Sequence, residues 1–503
     1  MENLGEKSIT EQVLRNSLWV FLTGFLTKIG GLIFTILLAR YLLPEKFGEY
    51  SIVLSVAILF MVFGDLGINQ TLMTFFSKHL KNKNKANTYF NFLFFAKLVF
   101  ISGTSVALLI SSYFLAKYVF AISNLTPLFI ASAFYMFFFS LSGFFASFFY
   151  IYKKVKLDFF KEFLFQITRM ISVLILFFFF SSENYLAGIF FSLVLASLGM
   201  LVFSLFFSKK LFPLMFTKSK EKINKKRVSK FLFYLAIGGI SLLVFSEVDI
   251  FMLGILIKDL AYIGYYRAIF ALILGVTGLI GITSILLPIL SSFKIKRAEQ
   301  AFDKVIKYTF LFSIPACFGV LVFGKYFIRL FYGSEYLAGA LILYFLTFLI
   351  FSETTTGLFS TLFTSQEKPK YVTKSIIVSL GANLVLNYFL ITIFLKTSIL
   401  WATAGAAIAT LFSRYLFMFM LIFYSKKKLG VEIKKEHIIK PLIASLIMAG
   451  IVYLLLPKID VTFFSGIMLV LCGVLIYFST MLFIKGIKKQ DLEIFSFFWK
   501  KEN

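Results

Sequence analysis

Long apolar stretches alternate with short polar strips along the whole chain. Fourteen such stretches can be drawn, near residues 17–38, 47–77, 88–115, 126–151, 160–181, 185–208, 231–257, 262–292, 303–324, 337–364, 371–395, 400–424, 438–456 and 463–485. A bilayer core of about 30 Å takes roughly 20 apolar helical residues. None of the stretches shows the period-two alternation of a barrel strand. Backbone groups in hydrocarbon must then bond within their own segment, so the pattern predicts helices. The expected fold is an all-α integral membrane protein with 14 transmembrane helices. The first stretch starts near Asn16, behind a polar segment carrying Glu2, Glu6 and Glu11. A cleaved signal begins basic and ends in small residues, so this stretch is predicted to stay in the protein.

Charge orders the strips. With the N-terminus inside, the inner strips hold 37 Lys and Arg and the outer strips hold eight. The outer eight are Arg40, Lys46, Lys117, Lys258, Lys325, Arg329, Lys396 and Lys458. Positive residues stay on the cytoplasmic side, so this bias and the even span count predict a multi-pass cell-membrane protein with both termini in the cytoplasm. The same placement explains the net charge of +27 without a nucleic-acid partner. Basic inner strips also suit contact with anionic membrane lipids. Apolar residues at 60% and charged residues at 15% exclude a soluble domain of this length. The two cysteines, Cys317 and Cys472, fall in apolar stretches, and His79 and His437 fall in basic strips. Neither set has the spacing of a metal site or a disulfide framework.

The pattern also repeats. Gly48-Glu49-Tyr50 recurs as Gly264-Tyr265-Tyr266, at an offset of 216. Ala187-Gly188 recurs as Ala404-Gly405 and Ser208-Lys209-Lys210 as Ser425-Lys426-Lys427, both at 217. A shared offset at three places implies an internal repeat. Each copy holds six spans, an even number, so both insert the same way up, related by an axis along the membrane normal. The expected organisation is a six-helix bundle over 1–208, a basic cytoplasmic linker over 209–230, a second bundle over 231–424, and two extra helices with a basic tail over 425–503. Two parallel bundles with short, acid-poor outer strips suit a transporter. A membrane saccharide polymerase or ligase would need an outer loop bearing acids, and no catalytic residues can be named.

Ionisable residues at membrane depth cost at least ~2.5–3.5 kcal/mol each on insertion scales, so they are candidates for function. The first half carries Lys28, Lys97 and Arg169, with Asp65 as its deep acid. Glu162, Gln166 and Arg169 recur at steps of four and three, which puts them on one helix face. The second half is more acidic, with Glu247, Asp249 and Glu353, beside Arg267 and Arg414. Cations in a groove with low-dielectric walls attract a phosphate or pyrophosphate head group. On this reading Lys28, Lys97, Arg169 and Arg414 contact substrate, with an internal ion pair to Asp65 as the competing role. Asp65, Glu247, Asp249 and Glu353 are the candidates for coupling to Na⁺ or H⁺. Glu247 and Asp249 are two apart and cannot both face one groove squarely. Asn383 and Asn387 share a helix face and suit interhelical hydrogen bonds. No resident cofactor or metal is expected.

These residues resemble the oligosaccharide flippase branch of the multidrug/oligosaccharidyl-lipid/polysaccharide exporter superfamily. The resemblance runs through Leu38-Ala39-Arg40-Tyr41-Leu42, Pro44-Glu45-Lys46-Phe47-Gly48-Glu49-Tyr50 and Gly64-Asp65-Leu66-Gly67. It continues through Asp249, Gly254, Ile263-Gly264-Tyr265-Tyr266, Pro288, Lys368-Pro369-Lys370, Asn383, Asn387 and Ala404 to Thr410. It implies two bundles around a central cavity. It further implies export or flipping of a polyprenyl-linked saccharide by alternating access, with glycosyltransferases acting in the same pathway. Relatives that flip lipid-linked cell-wall precursor carry an Arg-Asp pair in the first span. Alignment on Arg40 places Phe34 and Thr35 there, so a peptidoglycan-precursor substrate does not follow. A cation-coupled multidrug exporter on the same architecture is the alternative.

Overall fold

The computed structural model describes residues 2–179, 184–217, 221–280, 295–366, 368–456 and 463–487, with side chains described from residue 15 except at 234, 295–301 and 463. Pro288, the end of the expected span 262–292 and the tail beyond 487 lie outside the described residues. Every element among the described residues is helical. The first half is built from α1 (Glu2–Asp65), α2 (Ile68–Ser77), α3 (Lys83–Phe114), α4 (Thr126–Ile151), α5 (Lys156–Phe179) and α6 (Tyr185–Leu211). The second half comprises α7 (Lys225–Leu256), α8 (Leu260–Ile280), α9 (Ile295–Phe331), α10 (Ala340–Leu346), α11 (Leu349–Ser365), α12 (Lys370–Leu395) and α13 (Ile399–Leu429). Two more helices follow, α14 (Glu436–Leu455) and α15 (Phe463–Phe483).

Twelve helices are long and apolar enough to cross a membrane, or thirteen when a bent pair is counted as one span. Two differences from the sequence expectation account for the count. The expected spans 17–38 and 47–77 share one 63-residue stretch, Arg15–Ser77. A straight helix of that length would run about 95 Å, three times the bilayer core. It is broken at Leu43 (φ 62°, ψ 170°), just before Pro44. Pro44 has no N–H to continue the ladder and excludes the helical region for the residue before it. The expected span 337–364 is the other case. Its two helical pieces, Ser334–Leu346 and Leu349–Ser365, meet at 46°. Thr347 and Phe348 form the corner, and the Cys317 thiol donates to the Thr347 carbonyl at 3.5 Å. Cys317 is therefore buried for a polar task as well as for packing.

Glycines set how the halves meet. Along one seam Lys28 packs on Gly278, Leu32 on Gly275 and Pro44 on Gly264. Along the other, Ile52 packs on Gly254, the Ser55 hydroxyl donates to the Glu247 carbonyl at 3.0 Å, and Leu235 packs on Gly67. In each seam residue numbers rise on one side and fall on the other, so the partners are antiparallel. Since α7 and α8 form a hairpin, the two parts of α1 must form one too. The hairpin tips touch reciprocally. A methyl at Gly48 would overlap the Leu260 carbonyl and stand 3.3 Å from the Gly264 nitrogen. A methyl at Gly264 would overlap the Pro44 carbonyl and stand 3.3 Å from the Gly48 nitrogen. Both contacts relate residues 216 apart, the offset of the sequence repeat.

The hydrophobic cores follow this geometry. At the Lys-poor end one core runs through both halves, joining Phe34, Leu38, Phe47 and Ile52 to Leu253, Ile263, Tyr266 and Tyr336. At the Lys-rich end most of each half packs on itself, while the start of α7 crosses over, with Val228 buried in the first half's core. Ile68, Phe76, Phe90 and Phe148 form one core, and Phe302, Phe310, Phe359 and Leu421 form the other. A fourth core holds α14 and α15 onto α9 through Leu311, Met448, Val452 and Tyr477. Arg40 ties the shared end further. Its guanidinium donates to the Leu330 carbonyl and, at 2.7 Å, to the Phe331 carbonyl, so it caps the last turn of α9. The Tyr336 hydroxyl donates to the Ala39 carbonyl at 3.0 Å.

These contacts make a stability prediction. Gly48→Ala or Gly264→Ala should each destabilise the protein by about 1–3 kcal/mol, because the added methyl meets fixed backbone. Gly103 has open space where its Cβ would go. Gly103→Ala should therefore gain up to about 1 kcal/mol from helix propensity. Thermal unfolding of the three purified variants checks the opposite signs.

Candidate functional site

Polar side chains inside the spans form four clusters, and each follows from the need to satisfy charge away from water. The first joins α3 to α1. Lys97 has no exposed side-chain surface, and its ammonium lies 2.5 Å from Asp65 Oδ1. Asp65 keeps 34% of its side chain accessible, so the pair opens to one side through the acid. Of the two roles open to Lys97, the structure supports the ion pair.

The second cluster is the polar stripe of α5. Gln166 Nε2 donates to Glu162 Oε1 at 2.7 Å, and Arg169 donates to Gln166 Oε1. The stripe lies against α1 because Gly30 leaves room for the Gln166 amide. The Arg169 guanidinium sits 4.2 Å from the Phe34 ring centre and 5.0 Å from that of Phe165, a cation–π sandwich. Tyr50, Tyr135 and Glu162 lie within its electrostatic reach. Its Nε is buried without a hydrogen-bond partner. Phe34, apolar in the sequence, is thus where a cation rests, supplied by α5. Lys28 is exposed, its stem lying over Gly278.

The third cluster pairs α7 with α8 and α13 with α11. Arg267 reaches Glu247 at 2.9 Å, and Arg414 reaches Glu353 at 3.2 Å while lying 4.0 Å from the Phe245 ring centre. Of Arg169, Arg267 and Arg414, only Arg169 lacks a carboxylate partner among the described residues.

The fourth cluster surrounds Asp249, which is 3% exposed. Its Oδ2 accepts from the Tyr266 hydroxyl at 2.8 Å and from Thr410 Oγ1 at 2.5 Å. Its Oδ1 accepts from Asn387 Nδ2 at 2.7 Å and from Asn383 Nδ2 at 3.4 Å. The Asn pair does bond between helices, and its acceptor is this carboxylate. Both Asn side-chain oxygens are buried without a partner. A carboxylate, two orphan amide oxygens and a threonine hydroxyl are hard oxygen donors, the set that suits a small cation. As the two-residue spacing requires, Glu247 and Asp249 face apart, one to Arg267 and one into the second half.

The comparisons with known proteins agree with this geometry. The family described as "Polysaccharide biosynthesis protein" matches residues 13–294. The chain belongs to that family. Its fold matches that of a structure titled "Lipid II flippase MurJ, inward closed conformation", with a TM-score of 0.73 and 19% identity over 93% of this chain and 99% of that one. A structure of MATE in complex with MaD3S matches at a TM-score of 0.60 and 12% identity, covering 83% of this chain and 96% of that one. A curated relative, "Probable low-salt glycan biosynthesis flippase Agl15" of Haloferax volcanii, is 23% identical over 236 residues, 46% of this chain. The match spans about half the length of that relative, 48%. Family and fold agree with the resemblance that the motifs carry to the oligosaccharide flippase branch of the multidrug/oligosaccharidyl-lipid/polysaccharide exporter superfamily.

Sequence reasoning named every ionisable member of these clusters but missed three partners. Tyr266 and Thr410 both sit in quoted motifs, yet nothing in the sequence aims them at Asp249. Tyr50, the repeat counterpart of Tyr266, also sits in a quoted motif and lies within electrostatic reach of Arg169.

The Lys97 pair makes a sharp test. Asp65→Ala leaves a buried ammonium without its partner and should cost about 3–5 kcal/mol. Asp65→Leu combined with Lys97→Met removes both charges and should recover most of that loss. Urea or thermal titration of the two variants decides it; equal stability would mean the pair is not holding α1 to α3.

Proposed function

We propose that this protein flips a polyprenyl-linked phosphate or pyrophosphate oligosaccharide from the cytoplasmic to the outer leaflet, for assembly of a cell-surface glycan. The observation that carries this reading is Arg169, an arginine held deep in the first half with no carboxylate partner among the described residues. Such a charge is tolerable beside an anionic cargo and costly otherwise. Family membership and the likeness to a lipid II flippase support the same cargo class. Phe34 and Thr35 in the first span favour a lipid-linked glycan other than peptidoglycan precursor. A sugar chain cannot cross hydrocarbon unaided, since each unpaired polar group costs several kcal/mol. A groove between the halves removes that barrier while the polyprenyl tail stays in lipid.

The arrangement of cores supports alternating access. One core runs through both halves at the Lys-poor end, while at the Lys-rich end the start of α7 is what joins them. Parting them inside while the Gly48–Gly264 contact holds, then the reverse, exposes the groove to each side in turn. On this reading the Lys-rich strips and both termini face the cytoplasm. The donor set around Asp249 takes Na⁺ or H⁺, whose gradient then drives the cycle. Glycosyltransferases of the same pathway would supply the cargo.

A multidrug exporter is the second reading, and the buried Asp249 together with the MATE-like fold favours it. Arg169 disfavours an organic cation in the first half. Inverted membrane vesicles loaded with labelled lipid-linked oligosaccharide separate the two. Flipping in that assay supports the first reading; movement of a cationic dye with no lipid movement rejects it. Arg169→Ala should lower flipping about 10–100-fold at normal insertion, the loss of one charge-assisted contact of about 1.5–3 kcal/mol. Asp249→Asn should retain assembly yet make flipping indifferent to an imposed Na⁺ or pH gradient; a preserved gradient response would remove Asp249 from the coupling site.

A further inference from the structure

A second polar cavity lies far from these clusters, at the Lys-rich end. It has a volume of about 650 Å³. Its walls come from both sides of the junction between the halves. Lys78 follows α2 and Lys85 opens α3, while Lys222, Lys225 and Arg227 come from the linker and the first turn of α7. Among the described residues no acid lines it. We propose that this cavity binds the phosphate groups of a diphosphate or phospholipid head group and thereby bridges the two halves on that face.

Positive residues on an inner face are ordinary, so the case rests on how these are arranged. Some cations elsewhere on the same face find acids. Lys434 reaches Asp303 at 2.6 Å, Lys426 reaches Glu432 at 3.1 Å, and Lys161 reaches Asp158 at 2.6 Å. Around the cavity none of Lys78, Lys85, Lys222, Lys225 and Arg227 makes an ion pair with a described residue. Five like charges converging on one concave space repel each other, and a multivalent anion between them reverses the sign of that interaction. The backbone adds to the field. The Asn82 side chain caps α3 through the Lys85 N–H, and the Asn224 side chain caps α7 through the Arg227 N–H, each at 3.0 Å. Both first turns thus turn the positive ends of 32-residue helices toward the cavity.

The site is also built rigidly. Tyr89 stacks on His79 at 4.9 Å and on Phe75 at 5.6 Å, and these three rings line the cavity. Phe75 meets Phe231 of α7 edge-on at 5.5 Å, so the aromatic wall itself crosses the junction. The start of the linker is pinned to α3, where Asn87 and Asn91 both donate to the Thr217 carbonyl, at 2.9 and 2.8 Å. An anion held by Lys78 and Lys85 on one side and Arg227 on the other ties α7 to α2 and α3, and so opposes parting of the halves there. Recognition of this kind does not depend on the transport reading above.

The test uses the full-length protein in nanodiscs of neutral phosphatidylcholine. Radiolabelled inorganic pyrophosphate is titrated in one arm, and spin-labelled phosphatidic acid is incorporated in the other. We expect saturable, salt-sensitive binding in at least one arm, and the arm that responds identifies a soluble or a lipid source. Combining Lys78→Gln, Lys85→Gln and Arg227→Gln should weaken it about tenfold or more. Combining Lys78→Arg with Lys85→Arg should preserve it. Lys426→Gln, Lys427→Gln and Lys428→Gln remove the same charge from the same face away from the cavity and should leave binding within about twofold. Equal melting temperatures of the variants exclude misfolding as the cause. No binding in either arm, or equal loss in both triple variants, overturns the proposal.

Discussion

Everything in this architecture turns on two backbones touching where the hairpin tips meet. Gly48 and Gly264 have no side chains to separate α1 from α8, so carbonyl and amide groups pack at a distance any Cβ would prevent. Close backbone approach is a main source of helix association in lipid, where apolar side chains gain nothing by leaving apolar surroundings. The contact is reciprocal, as a two-fold relation requires, and it joins residues one repeat apart. The shared core at the Lys-poor end, the Arg40 cap on α9 and the Tyr336 bond to Ala39 all gather around it. At the far end the halves meet through the start of α7, where Val228 enters the first half's core.

Within that frame, charge is distributed unevenly between equivalent halves. Tyr50 and Tyr266 hold the same place in the repeat. One lies within electrostatic reach of the Arg169 guanidinium and the other bonds the Asp249 carboxylate. Gln166 and Asn383, 217 apart, likewise serve a cation in one half and an anion in the other. On the proposed function, the two halves present sites of opposite preference. That asymmetry is what a carrier needs if an anionic cargo and a small cation are to move in one cycle.

Much of the fold was legible because hydrocarbon imposes a simple rule. A segment must be apolar, about 20 residues long and internally bonded. Leu43-Pro44 could be read as the end of a span from the proline alone. The corner at Thr347 and Phe348 could not. No proline or glycine marks it, and its Thr347 carbonyl accepts both the Ile350 N–H and the thiol of Cys317, 30 residues earlier. The site was legible by residue type but not by partnership. Lys97, Asp65, Arg414 and Glu353 are each conspicuous in an apolar run. That Lys97 meets Asp65 while Arg169 meets Gln166 and two phenyl rings depends on which helix faces which.

From sequence alone came the helical class, the repeat, the charge bias between the two faces and the short roll of residues that lipid cannot tolerate unpaired. Each follows from a local quantity, the transfer cost of one side chain or the period of one segment. Only the tertiary structure decided which of those charges neutralise one another, that Asp249 rests on four neutral donors, and that the repeat-related glycines touch. Those are properties of pairs distant in the chain, and no local pattern encodes the distance between them.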